Sequence, residues 1–337
     1  TIIFIVAITF SALVRLLLLY VITRFSNVTC VDLSVDIYRR TLYQDYSDHT
    51  SSNSSEVINS IITKTNTVTV GILVPYLNFV SSLIIMIGII SLVFTINAQV
   101  ALSIFSIFGL LYWIITFFAK RSLQKNGRLI ADESSQMVKT LQEGLGGIRD
   151  VLIDGSQEFY CKLYRNADLS LRKASGDNVF IGASPRYLME AIGMTLIAIL
   201  AYVLTFQKGG VMSAIPILGA LALGAQKLLP AMQTLYGSYS GIKGSTSSFI
   251  DVLNLLDQPL PSNTNQDLKK PMPFNQEVVL NNLSFRYSKD TPWILKNINL
   301  SFKKGEKIGF IGATGSGKST LIDILMGLIM PTSGELL

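Results

Sequence analysis

Five long apolar stretches alternate with polar ones along the first 235 residues of the chain. They cover residues 1–22, 68–96, 100–119, 187–206 and 211–235. Each is long enough to cross a bilayer as a helix. Very short turns join the second stretch to the third and the fourth to the fifth, whereas the polar segments 23–67 and 119–186 are too long to be simple connections. The pattern predicts a polytopic α-helical membrane domain whose helices extend well beyond the bilayer.

The distribution of basic residues predicts the orientation of this domain. Lysine and arginine are frequent in both long polar segments, whereas Lys208 is the single basic residue of the two short turns. By the positive-inside rule the long segments lie in the cytoplasm. Within the second of them, the residue types at 144–150 and 154–158 predict interruptions of the helix. Glu158–Arg165 is then expected to form a short amphipathic helix across the membrane normal that docks on a partner, with a solvated helical hairpin as the alternative.

Composition supports a membrane protein that carries a smaller soluble part. Hydrophobic residues make up 49% of the chain and charged residues 15%, against a usual charged share of about 25%. The mean hydropathy is +0.45. The net charge of +6 is typical of loops that face an anionic leaflet. Because there is no basic run, nucleic acid is not expected as a partner.

The pattern changes after residue 254. Prolines and polar residues indicate a linker over 255–276. Alternating apolar and polar positions then predict strands at 278–287 and 294–302. A short buried strand is expected at 307–311, followed after a loop by a buried helix over 320–330.

The loop between these last two elements has the phosphate-binding pattern Gly-x4-Gly-Lys-Ser/Thr. Glycines let several backbone N–H groups point into one concavity, and the helix start adds its positive end. We expect Lys318 to reach the β- and γ-phosphates of ATP and the Ser319 hydroxyl to bind Mg²⁺. An accidental glycine-rich turn is the alternative. The predicted ATP cradle comprises Gly312, Thr314, Gly315, Ser316, Gly317, Lys318, Ser319 and Thr320.

Tyr287 precedes this loop at the end of a predicted strand. It is a candidate to stack on the adenine ring, and a half-buried strand tyrosine is the alternative reading of the same position.

The soluble part resembles the opening of the nucleotide-binding domain of an ABC (ATP-binding cassette) transporter. The similarity lies in residues 282–287, 295–298, 304–307, the phosphate loop and 331–335. With the helical region before it, the chain as a whole is similar to an ABC exporter half-transporter. The resemblance implies a transmembrane domain at 1–254 with the second to sixth of six spans, a linker at 255–276, and the first part of an α/β P-loop nucleotide-binding domain at 277–337.

The resemblance also implies functional partners and residues. It assigns adenine stacking to Tyr287, and it assigns coupling helices that touch the nucleotide domains to the regions near 44–51 and 156–164. The family's signature motif, Walker B carboxylates and switch histidine do not occur up to Leu337. We therefore expect the catalytic residues further along a longer protein. That protein would be an ATPase-coupled translocase, working as a homodimer in the bacterial inner membrane with its nucleotide domains in the cytoplasm.

Three cations within or beside the apolar stretches suggest the substrate, because charges in a membrane are costly and are usually functional. Arg15, Arg186 and Lys227 are expected at similar depth in the inner half of the bilayer, where they would line a cavity for an anionic headgroup. The alternative is snorkelling to the interface, with Arg186 paired to Glu190. Residues 184–193 and 226–230 are also similar to the bacterial lipid-linked oligosaccharide flippases.

The leading hypothesis is thus ATP-driven flipping or export of an amphipathic anionic substrate, most simply a lipid-linked oligosaccharide or another lipid or polysaccharide. A peptide or drug exporter is the alternative within the family, and it would be favoured by an apolar cavity. From another class, the chain could belong to a membrane-anchored P-loop regulator that binds ATP without turnover.

Overall fold

The computed structural model describes residues 2–51, 53–96, 98–205, 210–259, 274, 276–288 and 290–337. Contacts divide the chain into two units. The first combines Thr1–Arg39 with Ser55–Gln258, and the second combines Arg40–Ser54 with Pro259–Leu337. Asn97 of the predicted turn 97–99, residues 207–209 of the predicted turn 207–210, and most of the predicted linker lie outside the described residues. The predicted domain boundaries at 254 and 276 stay a prediction.

Long helices build the first unit, as predicted from the apolar stretches. They are α1 (Ile2–Leu42), a segment from Ser54 to Ile96, α6 (Ala98–Gly146), α8 (Gln157–Thr205) and α9 (Gly210–Leu256). Each continues beyond its apolar stretch, which confirms helices longer than a bilayer requires. Among the described residues, two segments, Ile2–Leu42 and Ser54–Ser91, are long and apolar enough to cross a membrane.

The second long segment departs from a regular α-helix at two places. Its α-helical parts are α3 (Ser54–Asn59), α4 (Thr65–Val68) and α5 (Val74–Ile96), and the π-helical turns Ser60–Lys64 and Thr69–Leu73 join them. Both turns lie against α9. At the first, Lys64 Nζ is 2.6 Å from Asp251 Oδ2, and the lysine side chain is only 4% exposed. A partly buried ion pair, with the Asp251 side chain 33% exposed, therefore joins α9 to an irregular helix.

Two short helices separate the long ones. Helix α2 (Tyr46–Ser51) lies in the region predicted near 44–51, and α7 (Ile148–Asp154) lies between the two predicted interruptions. The prediction of a separate helix at Glu158–Arg165 is wrong, because these residues form the first turns of α8. The chain breaks instead at Gly147 and at Gly155, whose φ is +65°. The free-standing helix is consequently α7.

Besides α2, the described residues of the second unit form three antiparallel strands in the order β2-β1-β3 and a further helix. They are β1 (Glu277–Phe285), β2 (Leu295–Lys303), β3 (Ser333–Leu336) and α10 (Lys318–Leu325). The first two confirm the predicted strands. Side chains from the sheet and helix share one apolar core with Ile329, and Tyr46 of α2 packs against it. The buried residues of this core are Leu280, Leu283, Phe285, Leu295, Leu321, Ile324 and Ile329.

Two predictions for this unit need correction. Residues 307–311 are irregular rather than a buried strand, and Ile311 is 99% exposed. A strand requires a neighbour for its backbone hydrogen bonds, and no strand among the described residues pairs with this segment. The helix predicted over 320–330 spans Lys318–Leu325 instead, because Gly327 turns the chain with a φ of +72°.

Candidate functional site

The predicted phosphate loop connects the irregular segment 307–311 to α10. Gly315 and Gly317 have φ values of +85° and +86°, in the left-handed region that glycine adopts at little cost. A Cβ atom on Gly317 would also come within 3.0 Å of Ile294 Cγ2 and Leu295 Cδ2. Backbone conformation and close packing against the start of β2 therefore both require glycine here.

Helix α10 directs its first backbone N–H groups toward this loop. The Leu321 N–H donates to the Gly317 carbonyl at 2.9 Å, which closes the first turn. The N–H groups of Lys318, Ser319 and Thr320 precede that bond and have no acceptor within the helix. Free N–H groups and the positive end of the helix dipole make this an environment that favours an anion.

The Lys318 side chain folds back over the loop. Its ammonium group donates to the carbonyl oxygens of Gly312 and Ala313, both at 2.8 Å. Ser316 Oγ lies 3.3 Å from the same nitrogen. The Ser319 side chain next to it is exposed. The structure thus brings the predicted cation, the predicted metal ligand and the helix N-terminus to one place.

Tyr287 stands beside the same helix, just after β1. Its ring meets Phe285 almost at right angles, with the centroids 5.0 Å apart and the planes at 82°. The hydroxyl lies 3.4 Å from Thr320 Oγ1, and the residue is 54% exposed. An aromatic ring with open surface therefore adjoins the start of α10.

The predicted substrate cations are not brought together by any contact in the described part of the chain. Arg15 in α1 and Arg186 in α8 are exposed, and neither forms an ion pair or hydrogen bond with a described residue. The Lys227 side chain lies outside the described residues. The cavity that these three residues would line stays a prediction.

The structure contains a pocket that was not predicted from the sequence. It has a volume of about 260 Å³ and lies between α5, α6 and α9. Uncharged side chains line it, among them Tyr112, Tyr236 and Tyr239. The four-residue spacing from Tyr112 to Thr116, and from Met232 to Tyr236, places each pair on one helix face. That spacing is a signal in the sequence, but it does not reveal which helices meet.

Two family models match the chain. One, the ABC transporter transmembrane region, covers residues 1–220, and the other, ABC transporter, covers residues 295–337. The first alone accounts for more than half of the chain. The chain belongs to the ABC transporter family. The helical unit is thus a transmembrane domain of the ABC exporter type. Residues 295–337 belong to the start of the family's ATP-binding domain, which implies binding of ATP with Mg²⁺.

Curated relatives include both lipid and protein translocators. The chain is 24% identical over 240 residues to the ATP-dependent lipid A-core flippase of Alkalilimnicola ehrlichii, a match that covers 68% of the chain and 39% of the flippase. It is 48% identical over 63 residues to the alpha-hemolysin translocation ATP-binding protein HlyB of Escherichia coli, covering 19% of the chain and 9% of HlyB. The matches thus span less than half of each relative.

A solved structure shows the same fold. The chain superposes on a bacterial Atm1-family ABC exporter with ATP bound at a TM-score of 0.71 and 17% sequence identity. The match covers 94% of the chain and 55% of that exporter. The fold of an ABC exporter therefore extends over almost the whole chain.

Proposed function

We propose that this chain is part of an ATP-driven exporter that moves an amphipathic molecule across the bacterial inner membrane. The observation that carries the proposal is the arrangement at the start of α10. There the Lys318 ammonium group, free helix N–H groups and the Tyr287 ring lie around one loop. In an ABC exporter such a loop binds the ATP whose hydrolysis drives transport.

The residues present fit ATP and Mg²⁺. Lys318 donates hydrogen bonds to two carbonyl groups of its own loop. A phosphate group would be a stronger acceptor for the same cation. The exposed hydroxyl of Ser319 is a hard oxygen ligand of the kind that Mg²⁺ prefers. Gly312, Thr314, Gly315, Ser316 and Gly317 would supply the rest of the cradle. Bound ATP with Mg²⁺ would provide the phosphoanhydride bond whose hydrolysis drives transport.

A lipid or lipid-linked glycan is the substrate class with the best support. The flippase match covers 240 residues, so it extends far beyond the segment 277–337 into the helical unit, where an exporter selects its substrate. The toxin translocators match over shorter lengths, 63 residues for HlyB and 117 for the leukotoxin translocation protein LktB. Arg15, Arg186 and Lys227 remain our candidates to receive an anionic headgroup.

One observation favours the alternative, a drug or peptide exporter. The pocket between α5, α6 and α9 has uncharged walls rich in aromatic side chains. An apolar substrate would suit such walls. The same pocket also suits the hydrocarbon part of a lipid, so its chemistry agrees with both substrate classes.

Dimerisation and orientation belong to the proposal as well. Half-transporters of this family act in pairs, and we propose that two identical chains hold ATP between them. The charge distribution of the predicted loops would place both nucleotide domains in the cytoplasm.

The proposal is tested by ATP hydrolysis and lipid translocation in the full-length protein, reconstituted in liposomes. The Lys318→Ala variant loses two charge-assisted contacts to phosphate, each worth about 1.5–3 kcal/mol. We therefore expect both activities to fall by at least about 100-fold. Lys304→Ala changes an exposed lysine outside the loop and is the matched control.

These measurements test the energy source and the identity of the substrate separately. Transport that persists in Lys318→Ala would exclude this loop as the energy source. ATP binding without any hydrolysis in the wild-type protein would indicate a regulator instead. For a flippase we expect a polyprenyl-pyrophosphate glycan to stimulate ATP hydrolysis, and we expect Arg15→Ala and Lys227→Ala to reduce this stimulation. If the glycan does not stimulate hydrolysis and both variants keep wild-type activity, a lipid-linked glycan is refuted as the substrate.

A further inference from the structure

Helix α8 contains a proline far from both of its ends. Pro185 is buried within this helix, and a proline has no backbone N–H group. In a regular α-helix the N–H at this position would donate to the carbonyl four residues earlier, which here belongs to Ile181. The Ile181 carbonyl therefore lacks its usual partner, at a place where proline also makes a helix easier to bend.

A hydroxyl group from another helix takes the place of the missing N–H. Tyr236 of α9 donates its hydroxyl to the Ile181 carbonyl at 3.1 Å. Neighbours restrict this donor, because Tyr236 is only 5% exposed and its ring lies against that of Tyr112, with the centroids 5.8 Å apart. A carbonyl freed by proline in a membrane helix needs such a donor, since lipid offers none. The contact thus replaces, from a neighbouring helix, the hydrogen bond that α8 cannot form itself.

Close contacts between α8 and α9 lie on both sides of this hydrogen bond. Before the proline, a Cβ atom on Gly182 would come within 3.2 Å of Ser240 Oγ. After it, a Cβ atom on Gly193 would lie 3.8 Å from Leu229 Cδ1. Tyr236 lies between Leu229 and Ser240 along α9. The hydroxyl therefore acts at the point where α8 has lost its own hydrogen bond, between two contacts that keep the helices in register.

One of the candidate substrate residues follows the proline directly. Arg186 is exposed and lies at the predicted cytoplasmic start of the fourth apolar stretch. Its direction relative to the preceding part of α8 depends on how the helix continues through Pro185. A fixed helix direction keeps the guanidinium group in one region. A loose one spreads it over several, and the apparent affinity for a substrate then falls with the fraction of molecules in the competent arrangement.

We propose that Tyr236 is a positioning residue for substrate binding: its hydroxyl fixes the direction of α8 after Pro185 and thereby the position of Arg186. The inference rests on the proposed function, because Arg186 is a candidate for the anionic headgroup only there. It goes further by assigning a role to a residue of α9 that acts through the backbone of a neighbouring helix.

Amide hydrogen exchange of the full-length protein in nanodiscs, measured without ATP, tests the role of the hydrogen bond. Tyr236→Phe removes only the hydroxyl and should speed exchange in peptides that cover residues 182–190 by about 3- to 10-fold, as for the loss of one hydrogen bond. Pro185→Ala returns an N–H group to α8, so adding Tyr236→Phe to it should change exchange less than about twofold. Tyr239→Phe removes a hydroxyl three residues further along α9; it is the matched control and should leave exchange unchanged.

The effect on the substrate is measured as stimulation of ATP hydrolysis by the polyprenyl-pyrophosphate glycan. Tyr236→Phe should raise the glycan concentration for half-maximal stimulation about 3- to 10-fold and keep the maximal rate within about twofold, because it lowers only the fraction of molecules with Arg186 in place. In an Arg186→Ala background the same change should have no further effect. A residue that merely stabilises the fold would instead lower the maximal rate, through the amount of active protein.

Three outcomes would overturn the inference. Unchanged exchange in Tyr236→Phe would show that the hydrogen bond does not stabilise α8 at the proline. An equal increase with and without Pro185 would show that the hydroxyl supports packing in general. If the glycan stimulates the wild type and Tyr236→Phe keeps the same half-maximal concentration, Tyr236 does not position Arg186. A wild-type protein that the glycan does not stimulate refutes the proposed substrate instead, and the exchange measurements still decide whether Tyr236 stabilises α8 at Pro185.

Discussion

Replacement of Tyr287 by alanine removes an aromatic ring beside the phosphate loop. The ring stands nearly perpendicular to Phe285, at 82°, and the residue is 54% exposed. We therefore expect a face of the tyrosine to remain open to a planar base. Its hydrogen bond to α10 is long, with 3.4 Å between the hydroxyl and Thr320 Oγ1. The substitution should consequently affect base stacking much more than the shape of the loop.

The magnitude follows from the energy of stacking. Contact between a base and an aromatic side chain contributes about 1–3 kcal/mol. This range corresponds to a loss of about 5- to 150-fold in affinity. Because half of the ring is open and its partner Phe285 stays in place, we expect a value in the middle of the range, about 10- to 50-fold.

The assay compares two ligands that differ only in having a nucleoside. The dissociation constants of a non-hydrolysable ATP analogue and of inorganic tripolyphosphate are measured by calorimetry on the full-length protein in nanodiscs. Tyr287→Ala should weaken the nucleotide and leave tripolyphosphate unchanged. Tyr287→Phe keeps the ring, so its affinity for the nucleotide should stay within about twofold of wild type. Lys318→Ala should weaken binding of both ligands, because we expect the lysine to contact phosphate.

Two results would refute this reasoning. If Tyr287→Ala weakens tripolyphosphate as much as the nucleotide, the ring supports the loop and does not stack on the base. If neither ligand is affected, Tyr287 is an ordinary tyrosine at the end of a strand, which is the alternative that the sequence allowed.

Two further predictions concern the helical unit. Lys64→Met leaves Asp251 without its cation and should destabilise the protein by about 1–3 kcal/mol, because the Asp251 side chain is 33% exposed and stays partly hydrated. Lys64→Met with Asp251→Leu should lower the midpoint of thermal unfolding in detergent less than Lys64→Met alone, and a larger drop in the double variant would contradict the ion pair. A Cβ atom added at Gly71 by Gly71→Ala would collide with Ser245 Oγ, whereas one added at Gly88 by Gly88→Ala meets nothing within 4 Å. Only Gly71→Ala should reduce the yield of folded protein, and Ser245→Gly should restore it; equal yields of both alanine variants would refute tight packing there.

The sequence predicts the long helices and the phosphate loop well, because both are governed by local rules. An apolar stretch as long as Val68–Ile96 has few alternatives to a membrane helix. The glycines of the phosphate loop are similarly constrained, since Gly315 and Gly317 adopt positive φ values that other residues avoid.

Predictions that depend on neighbours were less successful. Residues 307–311 have the composition of a buried strand, but a strand forms only beside another, and none of the described strands pairs with this segment. Glu158–Arg165 is amphipathic, which predicts a helix correctly but does not say where that helix begins. The glycines at 147 and 155 decided this, so that α7 became the separate helix and 158–165 joined α8.

The sequence by itself therefore determined that the chain forms membrane helices followed by a phosphate-binding loop, because apolar length and glycine geometry are properties of contiguous residues. Only the tertiary structure decided which distant residues meet. It paired Lys64 with Asp251 across 187 positions and placed Tyr46 against the apolar core of the second unit. It also brought Tyr112 of α6 together with side chains of α5 and α9 around one pocket. Such contacts depend on how whole helices pack against one another. This packing results from the steric fit of many side chains that are distant in sequence, so a local sequence pattern cannot predict it.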